Sequence, residues 1–112
     1  MSDSHQPPAP ALCILALDLQ PALAALVPDG ARVHEARFEA LDSALLARLR
    51  PDRVLLPLMT PEHDAIQMIE QLCRLGYGGM IVVVAPPLPQ PRMVERELRN
   101  LGPGQRLILL TP

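Results

Sequence analysis

"RPDRVLLPLMTPEHDAIQMIEQLCRLGYGGMIVVVA", residues 50–85, predicts a buried strand, a helix and a second buried strand in succession. Apart from Arg53, the segments 53–58 and 80–85 are apolar without alternating polar residues, and this pattern is typical of strands covered on both faces. Between them, Thr60 is the expected N-cap of the helix and Gly76 its end. Strand, helix and strand at this spacing predict a right-handed crossover between two parallel strands.

The rest of the chain repeats this alternation of strands and helices. Further strands are predicted at 11–17, 31–38 and 106–110, and the second of these alternates polar with apolar residues as an edge strand does. Further helices are predicted within 18–27, after a cap at Asp42, and between Pro91 and Gly102. The pattern predicts an α/β fold, a three-layer sandwich with a five-stranded parallel sheet. This domain spans residues 11–112 and follows a flexible, proline-rich leader at 1–10.

Composition excludes several classes of function. The chain has 112 residues, enough for one domain, and a formal charge of −2. Its ten basic residues are scattered, so no nucleic-acid partner is expected. All ten are arginines, which excludes any chemistry that requires a lysine. The apolar run at 11–17 is too short to span a membrane and no basic segment precedes it, so we expect a cytoplasmic protein without membrane contact.

No cofactor or metal is expected from the motifs. Cys13 and Cys73 lack CxxC or metal-ligand spacing, and both fall in apolar patterns typical of buried, reduced thiols. The acidic and histidine residues at 62–64 are adjacent in a first helical turn, where neighbours point in different directions. The segment "DLQPAL" at 18–23 has no glycine- or hydroxyl-rich phosphate loop, which argues against a flavin mononucleotide site.

Residues 50–85 resemble the third strand, third helix and fourth strand of bacterial response-regulator receiver domains, which read approximately "PDLVLLDLMMPGMDGLEVLRRLR…PVIVLTA". The segment "ILALDLQPALAAL" at 14–26 is similar to "ILIVDDEPALREL" of the same family, so the resemblance extends over about residues 12–112. It implies a flavodoxin-like sheet with strand order 2-1-3-4-5.

The resemblance also implies that the phosphorylation site has degenerated. Receivers place two acidic residues after the first strand to hold magnesium; Asp18 matches the first, but Leu19 replaces the second. The aspartate that accepts the phosphoryl group falls on Pro57, and the hydroxyl residue after the fourth strand falls on Ala85. The lysine after the fifth strand falls on Thr111. A receiver without these groups is expected to have no catalytic residues and to work without phosphorylation.

The implied function is therefore regulatory protein binding in two-component signal transduction. The partner expected is a second copy of the chain, a signalling kinase or another regulator. An alternative from another class stays open: a small-ligand sensor or enzyme that reuses the cavity at the carboxyl ends of the strands.

A homodimer is expected from the last residues of the sequence. Receivers carry a fifth helix after the fifth strand, whereas this sequence stops at Pro112, so the final helix is expected to be absent. The last strand is apolar from Leu107 to Leu110, and without a covering helix these residues would form an exposed patch that a second copy would bury. The predicted interaction face consists of four residues: Leu107, Ile108, Leu109 and Leu110.

Overall fold

Five parallel strands form one sheet in the order β2-β1-β3-β4-β5, as predicted. The computed structural model describes residues 12–19, 27–28, 30–102 and 104–111. The strands are β1 (Cys13–Leu17), β2 (Arg32–Ala36), β3 (Arg53–Pro57), β4 (Met80–Val84) and β5 (Arg106–Leu110). The helices are α1 (Ser43–Leu49), α2 (Ala65–Arg74) and α3 (Pro91–Arg99), with one 3-10 turn at Phe38–Ala40.

The main core lies between one face of the sheet and the three helices. Alternate strand residues, among them Leu15, Leu56 and Val83, pack there against Met68 of α2 and Leu98 of α3. The opposite face of the sheet carries a second apolar cluster, built on four buried strand residues: Ile14, Leu55, Val82 and Val84. The predicted leader at 1–10 and most of the predicted helix within 18–27 lie outside the described residues.

Helix α2 begins four residues later than the sequence pattern predicts. Asp64, not Thr60, is its N-cap: the Asp64 carboxylate accepts a hydrogen bond from the Gln67 amide at 2.9 Å, and the Gln67 side chain accepts one from the Asp64 amide at 3.1 Å. This reciprocal pair satisfies two backbone donors at once, which makes Asp64 the better start. The predicted cap at Asp42 is present, accepting from the Leu45 amide at 2.8 Å. No helix in the described part of the chain is long and apolar enough to cross a membrane.

Pro57 ends β3 at a position where a missing amide proton costs little. The pairing of β1 with β3 ends at Ala16 and Leu55, whereas the pairing of β3 with β4 continues to Pro57 and Val84. The Leu58 amide donates toward β4, to the Val84 carbonyl, at 2.9 Å. Because successive residues alternate in direction, the Pro57 nitrogen lies on the β1 side, beyond the last pair there. A central strand therefore accepts this proline at its last residue.

Tyr77 closes the amino-terminal end of the sheet. Its hydroxyl donates to the Pro51 carbonyl at 3.1 Å, and the Met80 carbonyl lies 3.4 Å away. The ring is buried in the main core, and the Gln105 side chain donates to the Tyr77 carbonyl at 2.8 Å. Burial, and secondarily the negative charge of Asp52, raise the pKa of Tyr77 far above its ordinary value of 10.

This shift predicts a loss of stability in alkali. Above about pH 10 the unfolded chain releases the tyrosine proton while the folded chain retains it, so the free energy of unfolding falls as pH rises. Tyr77 is the sole tyrosine and the chain has no lysine, so few other groups titrate in this window. The test is urea denaturation between pH 9 and about 11, with tyrosinate absorbance as the direct reading. Tyr77→Phe should flatten the pH dependence; an unchanged slope would contradict the assignment.

The outer edge of β5 is covered by two side chains of α3. The Leu109 amide donates to the Glu95 carboxylate at 2.8 Å, and the Arg99 Nε donates to the Leu107 carbonyl at 3.0 Å. Glu95 and Arg99 also form an ion pair at 3.0 Å, one helical turn apart. These two side chains take the place that a further strand would occupy on β5.

Candidate functional site

A cavity of about 390 Å³ lies at the carboxyl ends of β1 and β3. Asp18 and Leu19 line it from the end of β1, and Pro57 lines it from the end of β3. The loop between β3 and α2 supplies the rest of the wall: Met59, Thr60, Pro61 and Glu62. The structure thus brings together three of the residues that the resemblance assigns to the degenerate acceptor site.

Ala85 and Thr111 do not line this cavity. Ala85 is buried directly after β4, and its amide donates to the Leu110 carbonyl at 2.9 Å. Thr111 follows β5 and is exposed. Both lie at the same end of the sheet as the cavity, because parallel strands all end at one side. Neither side chain supplies a charged group to that end of the sheet.

Asp18 joins two strand ends. Its φ of 52° lies in the left-handed region, which lets the chain leave β1 in a tight turn. Its amide donates to the Ala36 carbonyl at 2.9 Å, and its carboxylate accepts from the Phe38 amide at 3.2 Å. The carboxylate therefore holds the segment after β2 against the end of β1, a structural use that needs no metal ion.

The loop wall of the cavity is held by its own hydrogen bonds. The Thr60 hydroxyl accepts from the His63 amide at 2.9 Å, and the Thr60 amide donates to the His63 carbonyl at 2.7 Å. The Ala65 amide donates to the Leu58 carbonyl at 2.9 Å, which closes the loop at its base. The conformation is thus set without a bound ligand.

His63 connects this loop to the turn after β2. Its Nε2 lies 3.2 Å from the Glu39 carboxylate, and its ring meets the Phe38 ring edge-on with centroids 4.8 Å apart. This pair could not be predicted from sequence, because 24 residues separate the partners and neither belongs to a motif. The loop in the cavity wall could have been predicted from sequence. Asp64 and Gln67 have the spacing of a capping box, so the helix begins after Asp64 and residues 60–63 belong to the loop.

The chemistry available in the cavity is limited. Pro57 has no nucleophilic atom, and Leu19 offers no ligand oxygen. Asp18 and Glu62 are the carboxylates in the wall, and Asp18 is already hydrogen-bonded. Magnesium prefers near-octahedral oxygen coordination, and the described residues contain no group of three or more His, Cys, Asp or Glu side chains placed to hold a metal ion.

Solved structures share this fold. The signal receiver domain of a DNA-binding response regulator from Colwellia psychrerythraea superposes with a TM-score of 0.60 and 18% identity, covering 88% of this chain and 85% of that one. The fold is receiver-like. The Francisella response regulator 1452 receiver domain superposes with a TM-score of 0.58 and 14% identity, covering 87% of this chain and 82% of that one. Two-electron reduced flavodoxin from Megasphaera elsdenii superposes with a TM-score of 0.56 and 15% identity, covering 88% of this chain and 83% of that one. Neither a protein-family model nor a curated protein sequence matches this chain.

The strand order and the likeness to these structures confirm the flavodoxin-like fold class predicted from sequence. They include both receivers and a flavodoxin, so the shared architecture is compatible with more than one chemistry. A proposal about function must therefore be argued from the side chains that line the cavity.

Proposed function

We propose that this chain is a phosphorylation-independent, receiver-like module that acts by binding protein in bacterial two-component signalling. The observation that carries the proposal is Pro57, which lies at the end of β3 in the wall of the cavity. The resemblance assigns that position to the phosphoryl acceptor, and a proline has no atom that can attack phosphorus.

The surrounding groups support the same conclusion. Transfer of a phosphoryl group needs a nucleophile and cations that neutralise the charge on the transferring group. Leu19 removes one expected magnesium ligand, and the carboxylate of Asp18 is bonded to the Phe38 amide. No lysine exists anywhere in the chain to contact a phosphoryl oxygen. We propose accordingly that the module has no enzymatic activity and works as a cytoplasmic adaptor.

The test is incubation with acetyl phosphate, or with beryllofluoride, in the presence of magnesium. We expect the intact mass and the amide NMR spectrum to stay unchanged, while a phosphorylatable receiver domain treated in parallel responds. Pro57→Asp alone should also stay unmodified, because Leu19, Ala85 and Thr111 are unaltered. One phosphoryl group on a carboxylate of the unchanged chain would contradict the proposal.

We further propose that the protein partner includes a second copy of the chain. The structure divides the four residues of the predicted interaction face: Leu107 and Leu109 pack toward the helices, whereas Ile108 and Leu110 join the cluster on the opposite face. The proposed interface is therefore narrower than the sequence pattern suggested. Ile108 and Leu110 are partly exposed, and none of the three described helices packs against their cluster.

A native mass spectrum of freshly purified protein tests this mode of action. A stoichiometric oligomer supports the interaction module. A small molecule retained at equal stoichiometry, and lost when Pro57 is changed to Trp to fill the cavity, would instead favour a ligand sensor.

A further inference from the structure

An apolar groove of about 400 Å³ runs between α2 and α3, separate from the cluster on the opposite face of the sheet. Its large apolar side chains come from both helices, from the segment before α2 and from the turn after α3: Leu58, Met59, Ile66, Val94, Leu98 and Leu101. Val94, Leu98 and Leu101 recur at helical spacing and so present one continuous stripe.

The described residues expose four large apolar side chains, and two of them line this groove. Met59 is 73% exposed and Ile66 is 45% exposed, and both line it. Met93 is 52% exposed and precedes Val94 on α3. Val33 on β2 is the remaining member of this group in the described ranges, at 40%. Such a concentration of exposed apolar surface is typical of an interaction site, and methionine side chains adapt readily to apolar partners.

The charged side chains that line the groove are acidic. The two charged residues in its wall, Asp64 and Glu97, are both acidic. On α2, Glu70 follows the groove residue Ile66 by one turn, so these two residues lie on the same side of that helix. Arg99 points away from the groove, toward the edge of β5. A partner that matches this surface needs apolar anchors flanked by positive charge.

We propose that this groove binds an amphipathic, basic helix of a partner protein, whose apolar stripe fills the groove while its arginines or lysines meet Asp64 and Glu97. A groove between two helices is the usual receptor for such a ligand. The inference rests on the proposed function, in which the chain acts by binding protein, and it assigns the surface and the chemistry of the partner.

The probe is a fluorescent synthetic helix of about 16 residues, long enough to form a helix on binding. It carries leucines at helical spacing on one face and arginines on the flanks. A matched peptide replaces each arginine with glutamate. We expect the arginine peptide to bind, with the glutamate peptide at least fivefold weaker in fluorescence anisotropy. With methyl-labelled methionine, the signals of Met59 and Met93 should shift, while those of buried Met68 and of Met80 on β4 stay in place.

Three variants define the outcome. Ile66→Asp should weaken binding of the arginine peptide at least tenfold, and Glu97→Arg, at an exposed site, should reduce the difference in affinity between the two peptides. Val33→Asp is the matched control, an exposed apolar residue outside the groove, and should bind as the unchanged chain does. Equal binding of both peptides, or equal loss in Val33→Asp, would overturn the proposal. So would concentration-dependent shifts of Met59 and Met93 in the protein alone, which would indicate that a second copy fills the groove.

The two proposals fail separately. A phosphoryl adduct would contradict the proposed phosphorylation-independent function but would not affect the interpretation of peptide binding. Absence of peptide binding would contradict the proposed role of the groove but would not affect the argument from Pro57.

Discussion

Ile108→Asp is expected to yield a monomer at concentrations where the unchanged chain sediments as a dimer. The chain has a mass of 12.2 kDa, so the two species separate clearly in sedimentation velocity at micromolar concentration. Ile108 belongs to the apolar cluster on the face opposite the helices and is partly exposed. Burying an unpaired carboxylate in an apolar interface is costly, and a two-fold interface would contain the change twice.

Thr111→Asp is the matched control, because it adds the same charge at an exposed position three residues away. This variant should remain a dimer. Circular dichroism of both variants establishes that each is folded. If the unchanged chain proves to be a folded monomer across this concentration range, the proposed interface through Ile108 and Leu110 is wrong.

Gly79→Ala should destabilise the fold by about 3 kcal/mol, as overpacking together with a lost hydrogen bond does. A Cβ atom on Gly79 would collide with the Tyr77 hydroxyl and would lie 2.8 Å from the Asp52 carbonyl oxygen. The Asp52 oxygen is backbone and cannot turn aside. The Tyr77 ring would have to move, and its hydrogen bond to the Pro51 carbonyl would be lost.

Gly78→Ala provides an unusually close control. It makes the same chemical change one residue earlier, where a Cβ would meet no atom within 4 Å. We expect its free energy of unfolding, measured by urea denaturation, to stay within about 0.5 kcal/mol of the unchanged chain. Similar losses in both variants would indicate that glycine is needed in this turn for backbone reasons, and the explanation through Tyr77 would fail.

The fold could be predicted because several independent patterns agree. The continuous apolar runs of β3 and β4 indicate strands with two covered faces, and the helix between them requires a parallel crossover. The alternation in "RVHEA" marks β2 as the half-exposed edge strand, which the structure confirms. These signals depend on residue type and spacing within a few residues, which a sequence displays directly.

Features that depend on competition between neighbours were harder to predict. Thr60 and Asp64 are both good caps four residues apart, and the reciprocal bond to Gln67 decides for Asp64. Because Asp64 is the cap, residues 60–63 form a loop instead of a helical turn, and part of this loop lines the cavity. The acceptor position at Pro57 came from the resemblance, and its place in the cavity could be seen only once β1 and β3 were paired.

The side chains of Glu95 and Arg99 have a consequence for how copies of the chain can assemble. An added strand at β5 would need the Leu109 amide and the Leu107 carbonyl, and both are already bonded. At the other edge, β2 exposes the charged side chains of Arg32 and Glu35, which oppose an incoming strand. The hydrogen bonds at β5 and the charges at β2 therefore disfavour edge-to-edge pairing of strands between folded copies. A two-fold interface through the face of the sheet instead closes at a dimer.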